Sequence, residues 1–267
     1  MPMRSVFRTN NENIVSIDQE KCVACGLCVQ DCVGEHLILT DDAIVVKPGS
    51  CPECGHCFAI CPQNAISLRG YDLSEADAVP HGLDYFDSDL FLLALKSRRS
   101  CRHFQKKEIP SSVLNQILDA GRYSPTASNM QDVHITILRD LRPEIERLAV
   151  EFLRRKQQEG LEKLTFMHRT ITEDYFFKGA PLVLTVSSVN ALDAGLASAY
   201  MELMAYNLGL GVLYSGYFQY VFAGCEEIRT LVGLPEGEKL GSCLVLGYPE
   251  LQHERIVPRY NANVTWR

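Results

Sequence analysis

Eight cysteines form two quartets with the same internal spacing, C-x2-C-x2-C-x3-C. The first quartet comprises Cys22, Cys25, Cys28 and Cys32, and the second comprises Cys51, Cys54, Cys57 and Cys61. Each member of the second quartet follows its counterpart by 29 positions, and a glycine follows the second cysteine of each quartet. Thiolates two residues apart can surround one face of an iron-sulfur cube, and glycine lets the backbone approach it closely. The spacing therefore predicts a duplicated unit that holds two iron-sulfur clusters.

Residues 14 to 70, around these cysteines, resemble the bacterial ferredoxins that carry two 4Fe-4S clusters. In those proteins the fourth cysteine of each quartet ligates the other cluster. The resemblance implies one cluster on Cys22, Cys25, Cys28 and Cys61, and a second on Cys51, Cys54, Cys57 and Cys32. Short strands are expected in NIVSI, HLILT, AIVV and AISL. Pro62 follows Cys61 as in the ferredoxins, whereas Val33 stands where proline is usual.

Zinc sites and disulfides are the alternative uses of closely spaced cysteines. Zinc ribbons use two pairs of cysteines, whereas each quartet here has a third and a fourth member. Disulfides suit secreted proteins, and the polar segment Met1 to Asn13 lacks the apolar stretch of a secretory signal. The longest apolar run, Leu90 to Leu95, is far shorter than the roughly 20 residues of a membrane helix. We therefore favour clusters and expect a cytoplasmic protein that is not bound to a membrane.

A second segment suited to chemistry is SRRSCRHF, from Ser97 to Phe104. It offers the guanidinium groups of Arg98, Arg99 and Arg102 and the hydroxyl of Ser100. Arginine presents a planar fork of donors suited to phosphate, and the hydroxyl adds another donor at short range. Taken alone, this arginine turn (97–104) is explained equally well as a solvated basic surface.

Two further segments indicate a binding site only when they are considered together with the arginine turn. SPTASNMQ, from Ser124 to Gln131, is a polar loop between a predicted helix and a predicted strand, and by itself is an ordinary connection. LYSGY, from Leu213 to Tyr217, follows Gly209 and Gly211, where exposed backbone N–H groups could point at a ligand. In isolation this segment is a glycine-rich turn.

The order of RRSxRxF, SPxxxNxQ and the later helix-strand-glycine segment is similar to that of the nitroreductase family of FMN enzymes, from about Leu90 to Arg259. The resemblance implies an α+β fold with a mixed sheet flanked by helices. It also implies an intertwined homodimer with one FMN in each of two interface pockets. By the same resemblance, the FMN phosphate is held by Arg98, Ser100 and Arg102, with help from Arg99 and Arg259.

The resemblance also assigns residues to the flavin ring. The partner subunit would border the isoalloxazine with Pro125, Thr126, Ala127 and Asn129. The backbone at Ser215 and Gly216 would donate to flavin N5.

The sequence departs from the family at three places. Asp132 and Val133 stand where family members often have Pro-Trp, which changes the packing expected at the ring edge. Ser215 stands where an acidic residue is common, but this change keeps a backbone donor. Val257 lies near the position of a second C-terminal basic residue, which leaves Arg259 alone there.

Apolar periodicity predicts the elements that must position these residues. Helices are expected over 89–97, 111–121, 142–158, 161–175, 191–208 and 226–232, and strands over 134–138, 181–187, 211–217 and 242–248. An acidic stretch with Pro80 and Gly82 predicts a linker over 76–88. This linker separates a ferredoxin-like domain at 1–75 from a nitroreductase-like domain at 89–267.

The distribution of charge argues against one class of partner, nucleic acid. Residues 1–80 hold 5 basic and 11 acidic side chains, whereas residues 81–267 hold 21 and 22. The formal net charge of the whole chain is -7. Binding to nucleic acid needs a basic stripe that displaces counterions from phosphates. We therefore expect no nucleic-acid partner.

Together, the two resemblances predict an FMN-dependent oxidoreductase in which two 4Fe-4S clusters relay electrons to or from FMN. Clusters pass single electrons, whereas a flavin takes electrons singly or in pairs. The donor would be a reduced ferredoxin-like protein or NAD(P)H, and the acceptor a nitroaromatic, a quinone or a similar small molecule. No side chain is expected to act as a nucleophile. The alternative is a non-catalytic iron-sulfur electron carrier or redox sensor.

Overall fold

The computed structural model describes residues 14–49, 51–79, 87–159 and 170–267. Contacts divide these residues into two compact units. The first unit contains the described residues up to 79 together with Thr126–Asp132, and the second contains those from 87 to Pro125 and from Val133 onward. The predicted domain limits at 75 and 89 stay a prediction, since residues 80–86 of the predicted linker lie outside the described ranges.

The first unit contains two copies of a strand-helix-strand motif. The first copy has β1 (Val15–Ile17), α1 (Leu27–Gln30) and β2 (Leu37–Leu39), and the second has β3 (Ile44–Val46), α2 (His56–Ala59) and β4 (Ile66–Leu68). Every element of the second copy begins and ends 29 residues after its counterpart. β1 pairs with β4 and β2 with β3, both antiparallel. Each two-stranded sheet thus takes one strand from each copy, so neither copy completes a sheet alone.

A small apolar core joins the two copies of the first unit. Its buried residues are Val15, Cys28, Leu37, Ile44, Ile66 and Leu68. Several partly buried cysteines of both quartets pack against this core. A domain of this size rarely buries enough apolar surface to be stable by itself and commonly relies on disulfides or a metal centre. The cysteines are therefore placed where bound metal would stabilise the fold.

The second unit is built on a four-stranded sheet with the strand order β5-β6-β8-β7. The strands are β5 (His134–Ile137), β6 (Leu182–Ser188), β7 (Gly211–Tyr214) and β8 (Lys239–Gly247), and neighbouring strands are antiparallel. Successive residues of a strand point to opposite faces. Val245 of β8 therefore joins one buried cluster, and Leu244 and Leu246 join the other. A parallel bridge between Ser100 and Val212 makes the sheet mixed.

Helices cover both faces of this sheet. α4 (Ser111–Arg122) and α6 (Ala191–Asn207) pack on one face, and α5 (Arg142–Gln158), α7 (Gly216–Gly224) and α8 (Glu226–Val232) pack on the other. The second group buries large aromatic side chains, including Phe176, Phe177 and Phe218. The arrangement confirms the predicted α+β class.

One helix, α3 (Ser88–Ser97), has no buried residue. The Asp87 carboxylate caps it by accepting the N–H groups of Asp89 and Leu90, both at 2.9 Å. Five of its side chains are large and apolar, and they are 40% to 64% exposed. Residues 251–267 are also exposed throughout and form no helix or strand. In the described ranges, no helix combines the length and apolar character needed to span a membrane.

The strand predicted over 211–217 is wrong at its C-terminal end. β7 stops at Tyr214, and helix α7 begins at Gly216. Phe218, Val221 and Phe222 are buried at the spacing of one helix face, which places them on the aromatic side of the sheet. The change from the alternating pattern of a strand to the pattern of a helix occurs within the LYSGY segment, which is too short to show it in the sequence.

The helix predicted over 161–175 lies largely on residues outside the described ranges, and its described end, 170–175, is not helical. Residues 173–179 form turns instead. The two carboxylate oxygens of Glu146, on α5, accept the N–H groups of Phe176 and Phe177 at 2.8 and 2.9 Å. These bonds satisfy backbone donors that a longer helix would bond internally. The buried carboxylate therefore fixes a turn in place of the predicted helix.

Glu146 should make the stability of the second unit depend on pH. Burial raises the pKa of its carboxyl from 4.5 to about 7, against the opposing effect of the two N–H donors. The folded protein thus favours the protonated form. This contribution to stability is complete below the unfolded pKa near 4.5 and is lost as pH rises through about 7. We expect wild type to lose about 3 kcal/mol more of its free energy of unfolding than Glu146→Gln over this range.

Urea unfolding at a series of pH values, with intact holoprotein, measures this difference. Glu151→Gln, on the exposed side of the same helix, is the matched control and should follow wild type. Parallel pH profiles for wild type and Glu146→Gln would show that Glu146 does not titrate in this way.

Candidate functional site

Four cysteines line one cavity of the first unit. Cys22, Cys25 and Cys28 come from the first quartet, and Cys61 comes from the second. Isoleucines of β1, β3 and β4 complete the wall, and such apolar walls limit the access of water to a metal centre. We call these four cysteines the first set. The structure thus brings together the residues expected on one cluster.

The remaining four cysteines, Cys51, Cys54, Cys57 and Cys32, lie close enough to influence one another and are called the second set. The pKa of the Cys57 thiol is raised to about 11, mainly by burial and to a smaller extent by Cys51, Cys54 and Cys32. Burial also raises the pKa of Cys51, so these two thiols ionise more readily when positive charge accompanies them. Iron supplies that charge, and metal ligation requires the thiolate form. This donor set therefore fits a cluster.

The loops that carry the first two cysteines of each quartet, 22–26 and 51–55, are called the cluster loops, and they share an unusual backbone conformation. Ala24 and Glu53, equivalent in the two copies, have φ values of 50° and 55°. Gly26 and Gly55 follow with φ values of 77° and 74°. Left-handed residues in a tight loop turn successive N–H groups to one side, which forms a concave site for an anionic group. A 4Fe-4S cluster with four thiolates is such a group.

The fourth cysteine of each quartet is held in the same way in both copies. The N–H of His36 donates to Sγ of Cys32, and the N–H of Ala65 donates to Sγ of Cys61, both at 3.3 Å. Hydrogen bonds to sulfur tune the potential of a cluster. Across the described ranges, no three or more His, Cys, Asp or Glu side chains are placed to hold a single metal ion. The first set lines a cavity, as a bound cluster requires.

In the second unit, Arg98 follows α3 directly and is oriented by an ion pair. Its Nη1 donates to Oε1 of Glu202, on α6, at 2.7 Å. Burial raises the pKa of Glu202, and Arg98 opposes that shift. Ser97 adds a second link to α6, because its hydroxyl lies 2.8 Å from that of Tyr206. The other N–H groups of the Arg98 guanidinium remain for a second anion.

The rest of the arginine turn runs beside β7. Ser100 forms its bridge with Val212, and the N–H of Cys101 donates to the Val212 carbonyl at 2.9 Å. Within the described ranges, no hydrogen bond or ion pair engages the side chain of Arg99 or Arg102. Two arginines without a counter-charge, next to a third that is oriented, fit a phosphate group.

Two other residues expected at the flavin also belong to the second unit. Pro125 follows Ser124, whose buried hydroxyl finds no hydrogen-bond partner in the described part of the chain. Arg259 lies in the exposed segment 251–267, and its side chain makes no ion pair with another described residue. A role for Arg259 in binding phosphate stays a prediction.

The backbone expected to face flavin N5 lies at the start of α7. The N–H of Ser215 donates to the Cys243 carbonyl at 2.9 Å, and the Ser215 hydroxyl donates to the Phe176 carbonyl at 3.1 Å. The polar groups of Ser215 are therefore engaged within the unit. Gly216 is the first residue of α7, so its N–H has no acceptor within the helix. A Cβ built on this glycine would meet open space. The structure leaves Gly216, rather than Ser215, as the candidate donor.

The loop with the other predicted ring residues belongs to the first unit by its contacts. Ala127–Asn129 form a single turn of 3-10 helix after Thr126. Ser128, Asn129 and Gln131 have φ values of 51°, 53° and 49°. This left-handed conformation is costly for residues other than glycine and persists only where contacts enforce it.

Side chains of this loop contact the cluster loop of the second copy. Nδ2 of Asn129 donates to the carbonyl oxygens of Pro52 and Glu53 at 3.3 and 2.9 Å. Nε2 of Gln131 donates to the hydroxyl of Tyr71 at 2.9 Å, and that hydroxyl donates to the Glu53 carbonyl at 2.5 Å. Asn129, which was predicted to border the flavin ring, is therefore hydrogen-bonded to a loop that carries two cysteines of the second set.

Sequence reasoning missed three of these side chains. Glu202 could have been noticed as one of two acidic residues on the otherwise largely apolar helix predicted over 191–208. Tyr71 gave no signal, because its contacts are distant in sequence. Tyr175 has a buried hydroxyl without a hydrogen-bond partner among the described residues, and its ring centre is 6.3 Å from that of Tyr217, in the first turn of α7. A bound ligand could satisfy that hydroxyl.

Two family models match the chain. The model described as the nitroreductase family matches residues 95–248, and the model described as a 4Fe-4S dicluster domain matches residues 14–67. The first match includes the arginine turn and the start of α7. The second includes all members of both cysteine sets.

Individual relatives agree with these matches. A protein of Methanothermobacter thermautotrophicus, named as a candidate NADH dehydrogenase/NAD(P)H nitroreductase, is 29% identical over 167 residues, covering 59% of this chain and 76% of the relative. An iodotyrosine deiodinase of Nematostella vectensis is 22% identical over 220 residues, covering 70% and 81%. The solved structure of a nitroreductase with bound FMN from Bacteroides fragilis is 25% identical, with a TM-score of 0.51, over 66% of this chain and 98% of that one.

Proposed function

This chain belongs to the nitroreductase family, and we propose that it is an FMN-dependent oxidoreductase whose two 4Fe-4S clusters pass electrons to or from the flavin. The observation that carries the proposal is the presence, in one chain, of two convergent sets of four cysteines and an arginine turn in which Arg99 and Arg102 form no ion pair with another described residue. The dicluster match covers the cysteines, and the FMN-bound structure from Bacteroides fragilis has the fold of the second unit.

Each binding role goes to residues suited to it. The first set ligates one cluster and the second set ligates the other. The FMN phosphate is held by Arg98, Ser100 and Arg102, with Arg99 and Arg259 as helpers. The N–H of Gly216 donates to flavin N5. Bound FMN supplies a carrier that accepts electrons singly and delivers them in pairs.

The length of β7 supports this assignment of the flavin site. Ser100 lies beside Val212 at one end of the strand, and Gly216 opens the helix beyond the other end. From Val212 to Ser215 the chain rises by about 10 Å in an extended conformation. The ribityl chain of FMN can bridge such a distance between a phosphate group and a flavin ring.

We also propose a homodimer that completes each flavin site. α3 presents five apolar side chains that are 40% to 64% exposed, and the segment 251–267 has no burial of its own. Contiguous exposed apolar surface marks an interaction site. The partner subunit would supply the loop with Pro125, Thr126, Ala127 and Asn129 to border the isoalloxazine ring.

The proposed acceptor is a small, electron-poor aromatic molecule such as a nitroaromatic or a quinone. The names of two relatives, an NAD(P)H nitroreductase and an iodotyrosine deiodinase, agree with an aromatic acceptor. The donor is an external reductant, either a ferredoxin-like protein or NAD(P)H. The chain's own residues bind, orient and shield the reacting groups, and none needs to form a covalent bond. A cytoplasmic location stays a prediction.

Anaerobically purified full-length protein tests the proposal. We expect about eight iron atoms per protomer, with one FMN per protomer and a dimer by mass. The protein should reduce a nitro or quinone acceptor when reduced methyl viologen supplies electrons. Clusters without flavin and without turnover would favour the electron carrier. Zinc in place of iron would reject both functions.

A further inference from the structure

The two cluster loops are equivalent in sequence but differ in their contacts. Pro52 and Glu53 lie between the first two cysteines of the second quartet, and their carbonyl oxygens accept bonds from Asn129 at 3.3 and 2.9 Å. The counterparts 29 residues earlier are Val23 and Ala24. In the part of the chain that the structure describes, no side chain donates to either of them, and Val23 is 61% exposed. The duplicated unit is therefore asymmetric at this position.

We propose that Asn129 is a positioning residue that ties the cluster loop of the second set to the flavin-bordering segment. The cluster of the second set then exchanges electrons with the flavin, and the cluster of the first set receives electrons from the external donor. This inference deepens the proposed function and rests on it, because it uses the proposed place of residues 126–132 at the flavin ring.

The contacts define a short route for an electron. The Glu53 carbonyl receives two hydrogen bonds, from Asn129 Nδ2 at 2.9 Å and from the Tyr71 hydroxyl at 2.5 Å. Gln131 donates to the same hydroxyl at 2.9 Å, so the side-chain amides of Asn129 and Gln131 both connect to one peptide group. Electron tunnelling slows steeply with distance, and this peptide is next to Cys54. The cluster of the second set thus has the shorter connection to the segment proposed to border the flavin.

The first cluster loop is more exposed, which suits the receipt of electrons from the external donor. Cys25 is exposed, as is Val23 beside it, whereas Cys54 is half-buried. A protein donor can approach the first set through these residues. One-electron donors would reduce the cluster of the first set, which passes each electron to the cluster of the second set. Two such electrons and one proton from water would convert one oxidised flavin to its anionic hydroquinone and leave hydroxide, so charge and atoms balance.

Two substitutions test the link without touching a cluster ligand. Asn129→Ala removes the amide group that donates to the Pro52 and Glu53 carbonyls, and Tyr71→Phe removes the hydroxyl that donates to Glu53 and accepts from Gln131. We expect each variant of the full-length holoprotein to slow flavin reduction by reduced methyl viologen at least tenfold, as followed by stopped-flow absorbance. Asn115→Ala, which truncates an exposed asparagine on α4 outside both cluster loops, is the matched control and should keep the wild-type rate.

Electron paramagnetic resonance provides a readout independent of turnover. Cys25→Ala and Cys54→Ala proteins, each expected to lose one cluster, assign the signals of the two sets. In Asn129→Ala and Tyr71→Phe, the g-values and midpoint potential of the second set should shift, and those of the first set should not. A change that follows the first set, or equal changes in both, would overturn the assignment.

The outcomes separate this inference from the proposed function. Wild-type protein that lacks FMN or iron refutes the proposed function itself. Wild-type protein with full cofactor content, combined with normal flavin reduction in Tyr71→Phe and Asn129→Ala, refutes only the link. If Asn129→Ala loses FMN, Tyr71→Phe decides, because Tyr71 has no proposed contact with the flavin.

Discussion

Cys32→Ala should remove the cluster of the second set and leave that of the first set in place. Cys32 belongs by sequence to the first quartet, but its sulfur lies among Cys51, Cys54 and Cys57. The exchange of strands between the two copies produces this crossing, since β2, which follows Cys32, pairs with β3 of the other copy. We expect iron to fall from about eight to about four atoms per protomer.

Resonance spectra of the reduced protein identify which cluster is lost. Cys32→Ala should match Cys54→Ala, and Cys61→Ala should match Cys25→Ala. Cys225→Ala controls for loss of a buried thiol, since Cys225 is 6% exposed and lies outside both sets. Because metal binding is coupled to folding, the loss of either cluster should also lower the thermal stability of the first unit. A Cys32→Ala spectrum equal to that of Cys25→Ala would mean that each quartet binds its own cluster.

The double substitution Arg98→Ala/Arg102→Ala should release FMN. Each charge-assisted hydrogen bond to phosphate contributes about 1.5–3 kcal/mol. Losing two corresponds to an affinity lower by roughly 10²- to 10⁴-fold. Ultrafiltration and flavin absorbance of the purified protein measure the bound fraction. The clusters should remain at wild-type content, since the arginine turn belongs to the second unit.

Arg98 needs its own control, because its removal leaves the Glu202 carboxylate, 11% exposed, without its ion-pair partner. Adding Glu202→Gln to the double variant removes that charge, and Glu202→Gln alone reports the contribution of the pair. Arg147→Ala deletes an arginine from exposed ion pairs on α5 and should not change FMN binding. A double variant that purifies with stoichiometric flavin contradicts the phosphate site.

The sequence was most informative where residue type and spacing are dictated by a rigid ligand. An iron-sulfur cube needs thiolates at fixed separations, so the repeat of 29 positions located the two quartets, and every strand and α-helix of the first unit follows the same offset. The long helices α5 and α6 also fell close to their predicted limits. The arginine turn was recognisable only together with the two later segments, because taken alone it is explained equally well as a solvated basic surface.

Contacts between distant residues were not predictable. Nothing local indicates that Glu146 binds the N–H groups of Phe176 and Phe177, and this carboxylate replaces a predicted helix end by a turn. Similarly, the hydrogen bond of the Ser215 N–H depends on the register of β7 against β8, which puts Ser215 next to Cys243. Asn129 has an ordinary loop sequence around it, and its partners are 76 and 77 positions away. Such pairings depend on tertiary structure, which periodicity does not encode.

The loop Thr126–Asp132 and the N-terminal portion of the chain belong to one compact unit. Side chains of the loop donate hydrogen bonds to the carbonyl oxygens of Pro52 and Glu53 and to the hydroxyl of Tyr71. Deleting the N-terminal portion would therefore remove the partners that hold the left-handed backbone of this loop, so a truncated protein should differ from wild type at the loop as well as in its cysteine content.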